Sequence, residues 1–219
     1  MDFTLAVLAA MDGISYAALV FMVAAGLTLI FGVMRILNVA HGAFYAIGAY
    51  AGVTAALWVD AAEWSVWLQL PALLLTAIVV GTLLGSIIER YLLRYIYHRE
   101  EVIQLLVTFA VFMILEDVQR LVWGVEPYAA PDLVSLLGTV NVFDVPYMSY
   151  QLILLPMTAI MVFFFLRWLL KRTLLGHLIT ATTEDREMAV AMGINANKVF
   201  FITFILGAIL AVTGGSLAA

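Results

Sequence analysis

The sequence predicts an all-α, polytopic transmembrane helix bundle, and three observations carry that expectation. Apolar side chains make up 65% of the 219 residues and charged ones 11%, with a mean hydropathy of +1.10, against about 45 to 50% and about 25% in soluble domains. Uncharged stretches recur at lengths that cross a bilayer, which takes roughly 20 residues at about 1.5 Å each. All Lys and Arg but one gather in some of the connections between those stretches, the asymmetry expected of short cytoplasmic loops. A soluble globule of 24.0 kDa would leave much of this apolar surface in water, and disorder needs the opposite composition. The net charge of -5 argues against nucleic acid, which calls for a clustered basic face. Without cysteine there is no disulfide scaffold, thiolate metal site or cysteine nucleophile.

Taken in order, the N-terminus has no basic n-region and carries Asp2 and Asp12, so no cleavable signal peptide is read there. Residues 13–34 form the first expected span, 36–59 the second and 64–88 the third, each free of charge. The fourth, 102–115, is too short before Glu116 and Asp117 and is expected to run on through Arg120 to about Trp123, with Glu116 and Arg120 one helical turn apart. Residues 124–151 contain Pro127, Pro131 and Pro146 and read as an irregular extracytoplasmic cap. The fifth span is 145–166 and the sixth 199–219. Trp58, Trp64, Trp67, Trp123, Tyr128, Tyr147 and Tyr150 gather at the outer ends as an aromatic belt. The whole chain, 1–219, is read as one membrane domain.

Nine of the ten cations lie at Arg35, in 89–101 and in 167–198, whereas 60–63 and 124–144 carry acids alone. The consistent solution has the N-terminus outside and the segments 89–101 and 167–198 in the cytoplasm. Gly48-x-x-x-Gly52 and Gly81-x-x-x-Gly85 let helix backbones approach closely, either within the bundle or at a dimer contact. Pro71 and Pro156 fall in first turns, as caps or as kinks.

Few residues could carry chemistry. Asn38, His41 and Tyr45 recur at i, i+3 and i+7 in the second span and share a helix face. Polar side chains in a span face protein or water, so this stripe is either a pathway lining or an interhelical hydrogen-bond cluster. No metal-ligand set, nucleophile with its base, or phosphate-binding loop accompanies it, so neither cofactor nor catalysis is expected. The segment 171–198 is the informative soluble piece. Thr182 with Asp185 reads as a capping pair, Glu184, Asp185 and Glu187 fill a first helical turn, and Gly193 suits a left-handed stop. Met188 and Met192 stack beside Ala189 on a helix expected to span about ten residues, fit for a groove on a soluble partner or for the membrane surface. Its acidity disfavours anionic lipid. An Asn cap at Asn195 or Asn197 then starts the sixth span.

Two stretches resemble a known family. Residues 26–50, GLTLIFGVMRILNVAHGAFYAIGAY, are similar to the N-terminal signature of LivH-type permeases, membrane subunits of bacterial importers for branched-chain amino acids. Residues 173–195, TLLGHLITATTEDREMAVAMGIN, look like that family's cytoplasmic coupling segment; Glu187, Ala189 and Gly193 fit E-A-A-x-x-x-G, with Met188 in place of the first Ala. The resemblance implies an ATP-driven importer in a bacterial or archaeal inner membrane, in which this chain pairs with a second permease and holds no ATP. Two cytoplasmic ATPase subunits and a periplasmic or extracellular substrate-binding protein would complete it, and Glu184, Asp185, Glu187, Met188, Ala189, Met192 and Gly193 would couple it to the ATPases. Relatives carrying urea or short amides share the same signatures. Family members run further, with additional spans, so the chain reads as lacking the C-terminal ones. From the residues alone, a membrane scaffold that docks a soluble protein remains the competing class; an ion-coupled transporter would place ionisable groups near the bilayer midplane.

Overall fold

The computed structural model describes residues 3–125, 137–142 and 145–218. Helix α1 runs Phe3–Met34, α2 His41–Ala61, α3 Val66–Ile96, α4 Glu101–Trp123, α5 Tyr150–Arg172, α6 Leu174–Glu184, α7 Arg186–Ala191 and α8 Ala196–Leu217. Five of these, α1, α2, α3, α5 and α8, are long and apolar enough to cross a membrane. Helix α4 continues to Trp123 as expected, and Arg120 pairs with Glu116 one turn back. That charged C-terminal end makes it less apolar than the other five, so the sixth expected crossing rests on its 23-residue length.

Helix boundaries depart from the charge-to-charge estimates wherever packing overrides composition. Helix α1 starts ten residues early and takes Asp12 into an exposed position, because an exposed helix turn tolerates a carboxylate. The second span starts late. Arg35 adopts a left-handed φ of 54° and ends α1, and residues 36–40 are not helical, so α2 begins only at His41. Helix α3 does not stop at Ile88 but passes through a wide π turn, Glu89–Leu93, to Ile96, which leaves only residues 97–100 of the expected 89–101 loop as a connection. Burial explains this: Leu93 is fully enclosed, and the Tyr97 hydroxyl donates to the buried Glu89 carboxylate.

The described part of the segment 124–151 is partly regular. An antiparallel hairpin, β1 Thr139–Val142 and β2 Val145–Met148, occupies the start of the expected fifth span, so that helix begins at Tyr150. Pro127, Tyr128 and Pro131 lie outside the described residues. Pro156 shapes the entry to α5. In the π turn Tyr150–Leu154 the Leu155 N–H reaches back to the Tyr150 carbonyl, and Pro156 has no N–H to offer Gln151. The Ser15 hydroxyl of α1 donates to that Gln151 carbonyl at 2.9 Å. Tyr150 is not a belt residue: it is buried, and its hydroxyl donates to the Leu217 carbonyl at 2.8 Å. Trp58, Trp64 and Trp67 are exposed, as a belt requires.

The centre of the bundle is α8. Of the residues in its apolar stretch 72% are buried, against 17% in α5. Both glycine pairs serve it. A Cβ on Gly48 would lie 2.4 Å from the Val212 carbonyl and one on Gly52 2.8 Å from Ser216; Gly81 and Gly85 abut Ile209 and Ile205 in the same way. The small-residue faces of α2 and α3 therefore grip one helix of the same chain, and Gly26 of α1 meets Gly207 from a third side.

Candidate functional site

The first candidate lies where α1, α2 and α8 converge. Asn38 and His41 are both buried, but Asn38 precedes the helix, so the predicted stripe is not a single helical face. The His41 ring meets Phe44 edge-on, and its Nε2 lies 3.0 Å from the Val23 carbonyl. Only an N–H can face a carbonyl, so Nε2 carries the proton and Nδ1 is a bare acceptor. That Nδ1 and both amide atoms of Asn38 are enclosed without a hydrogen-bond partner within the chain. Tyr45 is only half-buried and turns into a separate groove with Tyr16, Leu19, Val20 and Val23. The structure thus keeps Asn38 and His41 in the interior and parts Tyr45 from them.

Thr203 was not singled out by sequence and belongs beside them. It is fully buried on α8 with its Oγ1 unpartnered, one turn before Gly207, which crosses Gly26 next to the His41 ring. A lone Thr in a span rarely stands out, because its hydroxyl normally returns to its own helix, as Thr213 does to Ile209.

The second candidate is the segment from Thr173 to Asn195. Thr173 caps α6 by accepting the Gly176 N–H at 3.1 Å, and Gly176 is packed so tightly that a Cβ would sit 2.3 Å from the Leu169 carbonyl. Thr182 is not a cap: it is buried inside α6 and donates to the Leu178 carbonyl. The cap of α7 is Asp185, whose carboxylate accepts the Met188 N–H at 2.9 Å. The expected ten-residue helix is therefore two, hinged at Glu184 and Asp185, with the second only 6 residues long. Gly193 closes it at φ 88° as expected, with its own N–H on Val190 and that of Ile194 on Ala189, the paired bonds of a Schellman stop. Asn195 then caps α8 through the Lys198 N–H at 3.1 Å.

Around the hinge, a cleft of about 430 Å³ is lined by Glu184, Asp185, Arg186 and Glu187 on one side and Met34, Arg35, Glu101 and Gln104 on the other. The Arg186 guanidinium covers the Phe200 ring of α8 at 5.1 Å. Glu187, Met188 and Met192 face outward, whereas Ala189 is buried against the body of the protein. The two methionines thus stay exposed beside an alanine that packs inward.

Residues 9–219 match the family described as the branched-chain amino acid transport system / permease component. The chain belongs to this family. It is 27% identical over 216 residues to the high-affinity branched-chain amino acid transport system permease protein LivH of Salmonella typhimurium, covering 94% of the chain and 68% of that protein. The same figures hold for LivH of Escherichia coli. With BraD of Pseudomonas aeruginosa the identity is 29% over 204 residues, covering 91% of the chain and 66% of BraD. No solved structure matches the chain. This multi-pass membrane permease thus holds enclosed polar groups between its helices and, apart from them, a short surface helix whose Arg186 lies over Phe200 of α8.

Proposed function

We propose that this permease carries branched-chain or other hydrophobic amino acids across a bacterial or archaeal inner membrane as one of two permease subunits of an ATP-driven importer. Two cytoplasmic ATPases drive it, an extracytoplasmic binding protein delivers the substrate, and the chain itself hydrolyses no ATP. Its N-terminus lies outside. The observation that carries this reading is the family match over 9–219, with relatives whose names specify branched-chain amino acid transport.

In this mechanism α7 docks on an ATPase through Glu187, Met188 and Met192, its flexible thioethers filling a groove on the partner. Closure of the ATPase dimer displaces α7. The displacement passes through Arg186 to Phe200 on the central helix, and across the cleft from Glu184 and Asp185 to Arg35, the reversal point between α1 and α2. Asn38 and His41 follow directly, so the enclosed polar groups change their access together, the two-state logic of a switch. The test is Gly193→Val in proteoliposomes with the partner subunits present. A β-branched residue at φ 88° costs about 1 to 2 kcal/mol and re-aims the junction of α7 with α8. The expected result is an assembled complex that still hydrolyses ATP while uptake falls at least about tenfold, a loss of roughly 1.4 kcal/mol in coupling. Full uptake per ATP would overturn this role for α7.

A further inference from the structure

A second concavity opens at the end of the bundle where α3 leaves and α8 enters, on the side of the hinge but apart from its cleft. Arg90 and Arg94 from the last turns of α3 and Lys198 from the first turn of α8 converge on it, with Asn195, Asn197 and Phe201 completing a pocket of about 300 Å³. Arg90 and Arg94 stand where the end of α3 favours cations, but Lys198 is placed against ordinary helix electrostatics. Lys198 sits at the positive end of α8, three residues after its cap, where an acidic residue is favoured, and the free N–H groups of that turn add to the same potential. Among the described residues the one ion pair is Glu116 with Arg120, so none of these three cations is neutralised by a salt bridge. The pocket's carboxylate, Glu89, is buried and receives the Tyr97 hydroxyl. Three cations thus face one carboxylate, and such an excess on two converging elements calls for an anion.

The position selects the kind of anion. Arg90 lies over the Phe201 ring at 5.7 Å, at the boundary where the apolar part of α3 ends. Ile87 and Leu83, one and two turns earlier on α3, are exposed, so apolar surface runs from the flank of the bundle to the basic pocket. An acyl chain along Leu83 and Ile87 with its phosphate among Arg90, Arg94 and Lys198 satisfies both halves at once. We propose that this pocket binds the head group of an anionic phospholipid from the cytoplasmic leaflet.

The test places the full chain in phosphatidylcholine nanodiscs with increasing phosphatidylglycerol and counts retained phosphatidylglycerol by native mass spectrometry. Each Lys or Arg near an anionic surface is worth roughly fivefold in affinity, so Arg90→Gln with Arg94→Gln and Lys198→Gln should weaken retention on the order of a hundredfold. The charge-matched control Arg167→Gln with Lys171→Gln and Arg172→Gln, at the end of α5, should retain the lipid. Lys198→Gln alone, an exposed change, should cost about fivefold and covers the case of a triple variant that does not assemble. Equal loss in both triple variants would reduce the effect to general surface attraction and overturn the site. Displacement by inorganic phosphate would make it a site for free phosphate, and an unchanged lipid count with lost ATPase association would assign the cations to a protein partner; either overturns the proposal.

Discussion

A methyl group added at Gly176 would lie 2.3 Å from one backbone carbonyl and 2.4 Å from the next, at the turn where α5 folds back into α6. Backbone cannot give way as a side-chain tip can, so Gly176→Ala should destabilise the hinge region by about 1 to 3 kcal/mol, read as a lower thermal midpoint and faster proteolysis at 173–195. Gly193 differs in kind: nothing stands within 4 Å of its missing Cβ, and only its left-handed backbone demands glycine. The same contrast of cause separates His41 from Tyr45. His41 has one ring nitrogen committed to Val23 and the other enclosed and free, so His41→Ala should lower uptake more than it lowers the amount of assembled complex. Tyr45, in its separate groove, should behave as a packing residue. Uptake that falls only in step with assembly for His41→Ala would leave the enclosed cluster a structural one.

Short helices depend on their ends, and α7 is nearly all ends. Its 6 residues hold together through the Asp185 carboxylate at the start and the Gly193 reversal at the finish. Asp185→Ala removes a cap worth about 1 kcal/mol, a large share for one and a half turns that bury only Ala189. Hydrogen exchange should then speed up over 186–194 and stay unchanged in α6, which keeps its own Thr173 cap. Uniform acceleration across both helices would mean that they move as one body and would remove the hinge. Among the longer elements, α5 takes its form from a single proline: Pro156 withholds a donor, the turn before it widens, and Ser15 of α1 supplies the missing hydrogen bond. Ser15→Ala leaves that carbonyl without its donor, at roughly 1 kcal/mol.

For the whole molecule, the crossing pattern decides which surfaces the partners meet. Single cysteines at Arg94, Thr183 and Thr139, in a chain without native ones, can be labelled from outside intact cells with an impermeant thiol reagent. The expected outcome is labelling at Thr139 of the hairpin and none at Arg94 or Thr183 before permeabilisation. The reverse would invert the molecule, and with it both the docking of α7 and the lipid pocket. Assembly around α8 carries its own prediction. Gly48→Val would drive a side chain into the Val212 carbonyl, so it should lower the yield of folded protein far more than Gly32→Val, where nothing stands within 4 Å.

Composition placed the chain in a membrane, and uncharged runs of about 20 residues made its spans helices, since in lipid each such run must satisfy its own backbone groups. Charge position located the spans though not their ends, and local chemistry identified the Gly193 stop and narrowed the α8 cap to Asn195 or Asn197, since a left-handed stop and an Asn cap are decided by their nearest neighbours. Where contact with distant residues competes with local preference, that reading gave way. Thr182 had the spacing of a cap but the burial of a core residue, so Asp185 took the role. Glu89 looked like the start of a loop, yet Tyr97 made its burial tolerable and the helix ran on. Only the tertiary structure could show that four glycines on two helices converge on α8, and that Thr203 stands unpartnered near His41. Both depend on which helix lies beside which, and spans of nearly uniform apolarity carry no moment to announce it.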